Sequence, residues 1–208
     1  MTVNWVTEIL NYSGSMLARV TMDGAKYVVA FLGAFVVTLF LTPVCREAAR
    51  KVGMIDLPDA RRVNKVPTPR GGGFSIFVAF HGTLLVFALF LGSSISAKFS
   101  CLWQWRFFCA SALLVLIGLV DDRFGMKPVV KLIGQIAVAT ILFFSGVSLG
   151  GIVVAFPPWL NYLATVIWIV GAINAFNLID GMDGLATGLA LIASLGLAGA
   201  LLFTGNSI

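Results

Sequence analysis

Apolar stretches alternate with short polar segments along the chain, at about residues 27–45, 72–92, 105–120, 132–149, 159–176 and 185–204. Each stretch approaches or reaches the roughly 20 residues that a helix needs to cross ~30 Å of hydrocarbon. Before the first stretch, residues 1–26 carry apolar positions at helical spacing, which predicts a weakly amphipathic segment on the outer membrane interface or packed against the bundle. The pattern predicts an all-α, polytopic membrane helix bundle of about six transmembrane helices, with one membrane domain over 27–208.

The composition agrees with a membrane protein. Of 208 residues, 59% are hydrophobic and only 11% are charged, which is more apolar surface than a soluble core of this size can bury. Cys45, Cys101 and Cys109 are odd in number, widely separated and predicted at different membrane depths, so they imply neither a disulfide framework nor a zinc site. The single histidine, His81, lies inside the second apolar stretch and is expected to form an interhelical hydrogen bond rather than to act as a catalyst.

Charged residues concentrate between alternate stretches. Ten of the fourteen Lys and Arg residues lie in 46–71 and 121–131, and the positive-inside rule places these two loops, with 177–184, in the cytoplasm. Both termini are then extracytoplasmic. The net charge of +5 reflects this topology, so nucleic acid is not an expected partner. Seven of the nine acidic residues lie on the same side, and because acids contribute little to topology, their clustering indicates a function.

Two of these loops carry candidate binding chemistry. Prolines and three glycines interrupt helix in DLPDARRVNKVPTPRGGG, residues 56–73, whose cations suit phosphate; an ordinary connecting loop is an equally good interpretation. The second segment, GLVDDRFGMKPVVKLIGQ, places Asp121 and Asp122 at the end of an apolar stretch. Neighbouring carboxylates there need a cation or a retained proton, unless both are simply solvated. Lys131 and Gln135 share one face of the next helix and can point toward this pair.

The third segment, NAFNLIDGMD, places two amides and two carboxylates at the end of a span. Asn174, Asn177 and Asp180 follow at steps of three residues, and a glycine then allows a break that turns Asp180 and Asp183 toward the cytoplasm. Oxygen atoms on such short side chains suit Mg²⁺ that shares its shell with water and phosphate. The alternative is that the amides bond between helices and the acids cap the next helix.

In order, spacing and predicted membrane side, these segments resemble those of the polyprenyl-phosphate N-acetylhexosamine-1-phosphate transferases, the family that contains WecA, TagO and MraY, and its WecA/TagO branch in particular. The resemblance runs from about residue 27 to the end. It implies that a phosphate oxygen of undecaprenyl phosphate attacks the β-phosphorus of a UDP-N-acetylhexosamine, with UDP-GlcNAc favoured, and releases UMP. The product would start a cell-envelope glycan such as lipopolysaccharide or teichoic acid. The implied cofactor is Mg²⁺, with Mn²⁺ as an alternative, and the implied location is the bacterial cytoplasmic membrane, with the active site on its cytoplasmic side.

The resemblance also implies roles for individual residues. Asn64 stands where many relatives of this branch carry His, which is a mild departure. The implied catalytic residues are Asp121, Asp122, Asp180 and Lys131, the substrate-binding residues are Lys65, Arg70, Asn174 and Asp183, and the metal ligands are Asn177 and Asp180.

Members of that family continue for several more spans, which include a loop with a metal-binding Asp and a His-rich loop. We therefore expect this chain to correspond to the amino-terminal half of such an enzyme and to lack turnover alone, with a carboxy-terminal half or a second copy as candidate partners. Two other functions stay open. One is a transporter with a cation site at the cytoplasmic rim. A transporter is expected to have an inverted repeat and acids near mid-membrane, and the position of these acids at one rim disfavours it. The other is a non-catalytic module that binds lipid phosphate.

Overall fold

The computed structural model of the chain is mostly helical. It describes the backbone of residues 4–58, 66–90, 101–151, 157–180 and 184–203, and the side chains within 28–58, 66–89, 102–150, 157–180 and 184–200. The helices are α1 (Asn4–Val52), α2 (Gly72–Phe90), α3 (Cys101–Phe124), α4 (Pro128–Phe144), α5 (Pro158–Ile179) and α6 (Leu185–Phe203), and a 3₁₀ turn spans Leu149–Gly151.

Several of these helices have the length and composition of membrane spans. Among the described residues, three are long and apolar enough to cross: Val28–Val52, Gly72–Leu89 and Pro158–Ile179. Pro128–Phe144 and Leu185–Ala200 are apolar but shorter. Most large apolar side chains in the described parts of α1 and α6, residues 28–52 and 185–200, are exposed, as lipid-facing surfaces require. The prediction of a multi-pass helical membrane protein is confirmed, while the number of six spans and the orientation of the termini stay predictions.

The helix bounds correct the predicted segments at the amino-terminal side. Helix α1 runs unbroken through the predicted amphipathic segment and the first apolar stretch to Val52, with Pro43 inside it. Residues 46–52 are therefore helix rather than loop, since the basic Arg50 and Lys51 favour the carboxy-terminal turn by their interaction with the helix dipole. The position of residues 1–26 at a membrane interface stays a prediction.

The bounds around the second polar segment also differ from those predicted. Helix α3 continues to Phe124, so Asp121 and Asp122 lie in its last turns and not in a loop. Helix α4 begins at Pro128, whose fixed φ suits a first helical position. It ends at Phe144 rather than near 149, because Gly146 turns the chain with a φ of +96°.

A small hairpin departs from the purely α-helical prediction. Strands β1 (Ile55–Asp56) and β2 (Thr68–Pro69) pair antiparallel, with Asp56 opposite Thr68. The Arg70 N–H donates to the Met54 carbonyl at 2.9 Å, and Met54 itself is buried. The hairpin is thereby held against the end of α1.

Neighbouring helices pack along the chain, α1 on α2, α3 on α4 and α4 on α5. Helices α3 and α4 lie close together at Gly134, where an added Cβ atom would lie 2.6 Å from Ile117 Cδ1. Between α2 and α3, His81 Nε2 lies 2.8 Å from Ser111 Oγ, which confirms the expected interhelical role of this histidine.

Candidate active site

The ends of five helices surround a cavity of about 560 Å³. Its polar lining comes from the last turns of α3 and α5 and the first turns of α4, and its apolar lining comes from positions further along α2, α3 and α5. The cavity gathers the predicted residues Asp121, Asp122, Lys131, Asn177 and Asp180, together with Gln135 and the apolar side chains of Ile76, Leu114, Val115, Ile117 and Ile173.

Asp121 is held by a cation and a backbone donor. Lys131 Nζ donates to Asp121 Oδ2 at 2.7 Å, and the Met126 N–H donates to Asp121 Oδ1 at 2.9 Å. Burial alone would raise the pKa of Asp121, but the hydrogen bonds from Lys131 and Met126, with the charges of Lys131 and Arg70, lower it below its usual value. Asp121 is therefore a carboxylate at neutral pH.

Asp122 lies in a different environment. The backbone N–H of Gly71 favours the ionised form of Asp122, and Arg70 Nη1 lies 3.6 Å from Asp122 Oδ1. Burial raises the pKa of Asp122 above its usual value, and the nearby Asp121 charge adds to this, while Arg70 opposes it. The sequence predicted that the adjacent acids need a nearby cation or a retained proton, and both features occur. Each acid has a cation nearby, and Asp122 is shifted toward retaining its proton.

Arg70 connects the hairpin to α3. Its Nη2 donates to Asp56 Oδ1 at 2.6 Å, while its Nη1 faces Asp122. Arg70 was predicted to bind substrate, and the structure places its guanidinium between two carboxylates. The pairing with Asp56 was not predicted, because only the hairpin brings positions 56 and 70 together. The prolines and glycines between them were the available signal for such a turn.

The end of α5 divides the predicted residues into two groups. The helix ends at Ile179, and Asp180 follows as its C-cap with its N–H bonded to the Phe176 carbonyl. Asn177 and Asp180 line the cavity. Asn174 instead pairs with Gln135, whose Oε1 accepts from Asn174 Nδ2 at 2.7 Å. The interhelical amide bond that was one alternative for this segment therefore applies to Asn174.

Two predicted substrate-binding residues, Lys65 and Asp183, lie outside the described residues. Within the described part of the chain, no group of three His, Cys, Asp or Glu side chains is arranged to hold a metal ion. Asn177 and Asp180 nevertheless offer oxygen atoms of the kind that Mg²⁺ prefers. The donor set fits such an ion in chemical type, with water or substrate needed to complete its shell.

The chain is similar to known proteins over the part that carries the cavity residues. Residues 104–208 match glycosyl transferase family 4. A probable undecaprenyl-phosphate N-acetylglucosaminyl 1-phosphate transferase of Bacillus subtilis is 32% identical over 173 residues, which cover 80% of this chain and 46% of the relative. A decaprenyl-phosphate N-acetylglucosaminephosphotransferase of Mycobacterium tuberculosis is 34% identical over 176 residues, with 79% and 42% covered. An undecaprenyl-phosphate alpha-N-acetylglucosaminyl 1-phosphate transferase of Thermotoga maritima is 34% identical over 160 residues, with 77% and 48% covered.

The chain spans about half the length of these curated relatives. No solved structure matches it significantly. The family match includes the Asp121–Asp122 pair and the segment from Asn174 to Asp183, and the relatives extend the similarity over about four fifths of the chain. On these matches, the chain belongs to glycosyl transferase family 4.

Proposed function

We propose that this chain forms part of the site that transfers N-acetylglucosamine 1-phosphate from UDP-GlcNAc to undecaprenyl phosphate and releases UMP. The observation that carries the proposal is the cavity, whose ionic rim continues into an apolar lining. Such a cavity suits a lipid with a phosphate head. The names of the relatives describe the same class of transfer to undecaprenyl or decaprenyl phosphate.

In the proposed step, a phosphate oxygen of the lipid forms a bond to the β-phosphorus, and the bond from that phosphorus to the bridging oxygen breaks. The electron pair leaves with UMP. A phosphate monoester in water keeps its second proton only below a pH of about 6, and because burial in a cavity disfavours the dianion and extends that range, a neighbouring base assists the attack. Asp122, whose pKa burial raises, is the proposed proton acceptor, while Asp121 stays ionised and holds the Lys131 ammonium at the cavity.

Cations around the cavity are proposed to bind the phosphates. Lys131 and Lys65 are proposed as point charges for the diphosphate, Arg70 as a guanidinium at the hairpin, and Asp183 as an acid that acts near the nucleotide. Mg²⁺, or Mn²⁺, is the proposed cofactor, held by Asn177 and Asp180. When bound, it neutralises charge that moves onto the leaving group.

We further propose that all six helices cross the bacterial cytoplasmic membrane and that the cavity opens to the cytoplasm. The polar lining residues lie at one end of α3, α4 and α5, near the two loops that are richest in Lys and Arg. At the opposite ends, Arg106 Nη1 donates to the Phe144 carbonyl at 2.8 Å. This bond joins the start of α3 to the end of α4, which supports the proposal that the two helices cross the membrane as an antiparallel pair.

The proposal is tested by UMP release in detergent with undecaprenyl phosphate, UDP-GlcNAc and Mg²⁺. The chain is assayed alone and with the remaining part of the Bacillus subtilis relative co-expressed, because the relatives are about twice as long. Asp122→Asn should lower release by about 10²-fold or more, the contribution typical of a general base. Glu47→Gln, at an exposed acid on α1, is the matched control and should retain release. Full release by Asp122→Asn, or no release from any folded sample, would contradict the proposal.

A further inference from the structure

Gln135 and Asn174 face each other between α4 and α5. Asn174 Nδ2 donates to Gln135 Oε1 at 2.7 Å, and Gln135 Nε2 donates back to Asn174 Oδ1 at 3.4 Å. Gln135 is only 2% exposed. A buried amide left without a partner costs about 1–3 kcal/mol. Asn174 lies at an exposed position and also donates to the Val170 carbonyl of its own helix at 2.8 Å, so it is Gln135 that keeps its partner only while the two helices hold one relative orientation.

The pair lies one turn from a candidate site residue on each helix. On α4, Lys131 precedes Gln135 by four residues and holds Asp121. On α5, Asn177 follows Asn174 by three residues and lines the cavity. Because residues three or four apart share a helix face, a rotation of α5 that separated the amides would also turn Asn177 away from the cavity.

A second polar contact joins the same two helices. Thr140 Oγ1 lies 3.0 Å from Tyr162 Oη, and neither residue lines the cavity. Interhelical hydrogen bonds in membrane proteins contribute only about 0.6 kcal/mol on average, so neither contact is needed mainly for stability. A two-way amide pair is directional, however, and buried polar groups are best known for fixing the register of packed helices.

We propose that Gln135 is a positioning residue, whose amide pair with Asn174 fixes the rotation of α5 so that Asn177 and Asp180 face the cavity. Asn174 then acts through Gln135 rather than on the substrate. The inference deepens the proposed function, because the importance of Asn177 and Asp180 rests on it. The orientation of α5 does not depend on that function and can be measured without any substrate.

The test compares two reporter thiols on α5. In the chain with its three cysteines replaced by alanine, Asn177→Cys and Leu178→Cys are introduced separately, and the rate of reaction with a water-soluble methanethiosulfonate is measured. Leu178 is 83% exposed and lies about 100° around the helix from Asn177. The rate for Leu178→Cys in the chain with native Gln135 and Asn174 is the reference for an outward-facing thiol. The ratio of the rate at position 177 to the rate at position 178 therefore reports the rotation of α5.

Gln135→Leu combined with Asn174→Leu removes both amides and leaves neither one unpaired. The ratio of the rate at position 177 to that at position 178 should then fall about threefold or more, the change that ~0.6 kcal/mol produces. Gln135→Met with Asn174→Leu is a second variant, closer in length to the native side chain, for the case in which the first does not fold. The exchange of Gln135→Asn with Asn174→Gln retains an amide pair and should keep the ratio.

The matched control is Thr140→Val with Tyr162→Phe, which removes the other α4–α5 hydrogen bond and should leave the ratio unchanged. The inference is overturned if the apolar pair keeps the ratio, or if the control lowers it equally. UMP release is measured in parallel with the native Asn177. Absent release from every sample would count against the proposed function alone, since the thiol ratio is obtained without substrate.

Discussion

Asp121 and Asp122 are adjacent in sequence, yet the structure gives them different partners and different acidities. Lys131 and the Met126 N–H hold Asp121 as an anion, and its pKa is lowered although burial opposes this. Asp122 has its pKa raised by burial, with Arg70 opposing at a longer distance. Environments that separate the pKa values of two titratable groups are typical of sites in which one group exchanges a proton and the other remains charged.

This difference predicts the effect of Lys131→Gln on Asp121. The substitution removes a hydrogen bond and a positive charge that both lower the pKa of Asp121, so the carboxylate should take up its proton at a higher pH. Carbodiimides modify the protonated acid, so the labelling of Asp121 can be followed by mass spectrometry as a function of pH. The pH at which labelling is half-maximal should be higher in Lys131→Gln than in the native chain. Lys127→Gln removes an exposed charge one turn earlier and should leave the midpoint in place. An unchanged midpoint in Lys131→Gln would show that the lysine does not hold this carboxylate in the membrane.

Sequence reasoning found the charged residues of the site but not all of their partners. The adjacency of Asp121 and Asp122 indicated a nearby cation or a retained proton, and helical spacing supplied Lys131 from the next helix. The contact of Arg70 with Asp122 joins residues 52 positions apart through the hairpin, and no local periodicity encodes it. Gln135 shares the face of Lys131 and lines the cavity with the acids, as expected, but its amide pairs with Asn174 and not with a carboxylate.

At the scale of elements, the turn between β2 and α2 aims a backbone donor at the site. Gly71 has a φ of +92°, and its backbone N–H lowers the pKa of Asp122. Gly71→Ala should destabilise the protein by about 1–2 kcal/mol, the cost of the left-handed region for an L-residue, and its new Cβ would lie 3.4 Å from Met54 Cε. Gly72→Ala meets nothing within 4 Å and is the control. Denaturant unfolding in detergent measures the free energy of unfolding of both variants. Equal losses of stability in Gly71→Ala and Gly72→Ala would mean that the positive φ at Gly71 is not what makes a glycine necessary there.

The elements themselves were largely predictable because each apolar stretch is long enough to specify a helix. Their ends were less predictable, since they depend on local chemistry that hydropathy does not register. Pro128 starts α4 and Gly146 follows its end, so the helix lies earlier than its apolar stretch suggested. Polar residues at a membrane interface can extend a helix, as Asp121 and Asp122 do in α3.

At the scale of the whole molecule, charge and apolar surface are separated along the helix axes. Polar groups of the cavity come from one end of α3, α4 and α5, while the described bodies of the helices carry exposed apolar side chains. This separation was visible in the sequence as loops rich in both basic and acidic residues. Which helices approach each other closely enough to form the cavity was not visible, because small contacts such as Gly134 on Ile117 decide it.

Helix α4 gives the sharpest test of the membrane arrangement. Its 17 residues extend about 26 Å, a few ångströms less than the ~30 Å of hydrocarbon, and local thinning of the bilayer costs only fractions of a kcal/mol per Å. If α4 crosses, Lys127 before it and Ser148 after it lie on opposite sides. In a chain free of native cysteines, an impermeant thiol reagent should label Lys127→Cys in inverted membrane vesicles and Ser148→Cys in intact spheroplasts. Labelling of both from one side would mean that α4 does not cross the bilayer, and the cavity could then not be assigned to the cytoplasmic face from the charge of the loops.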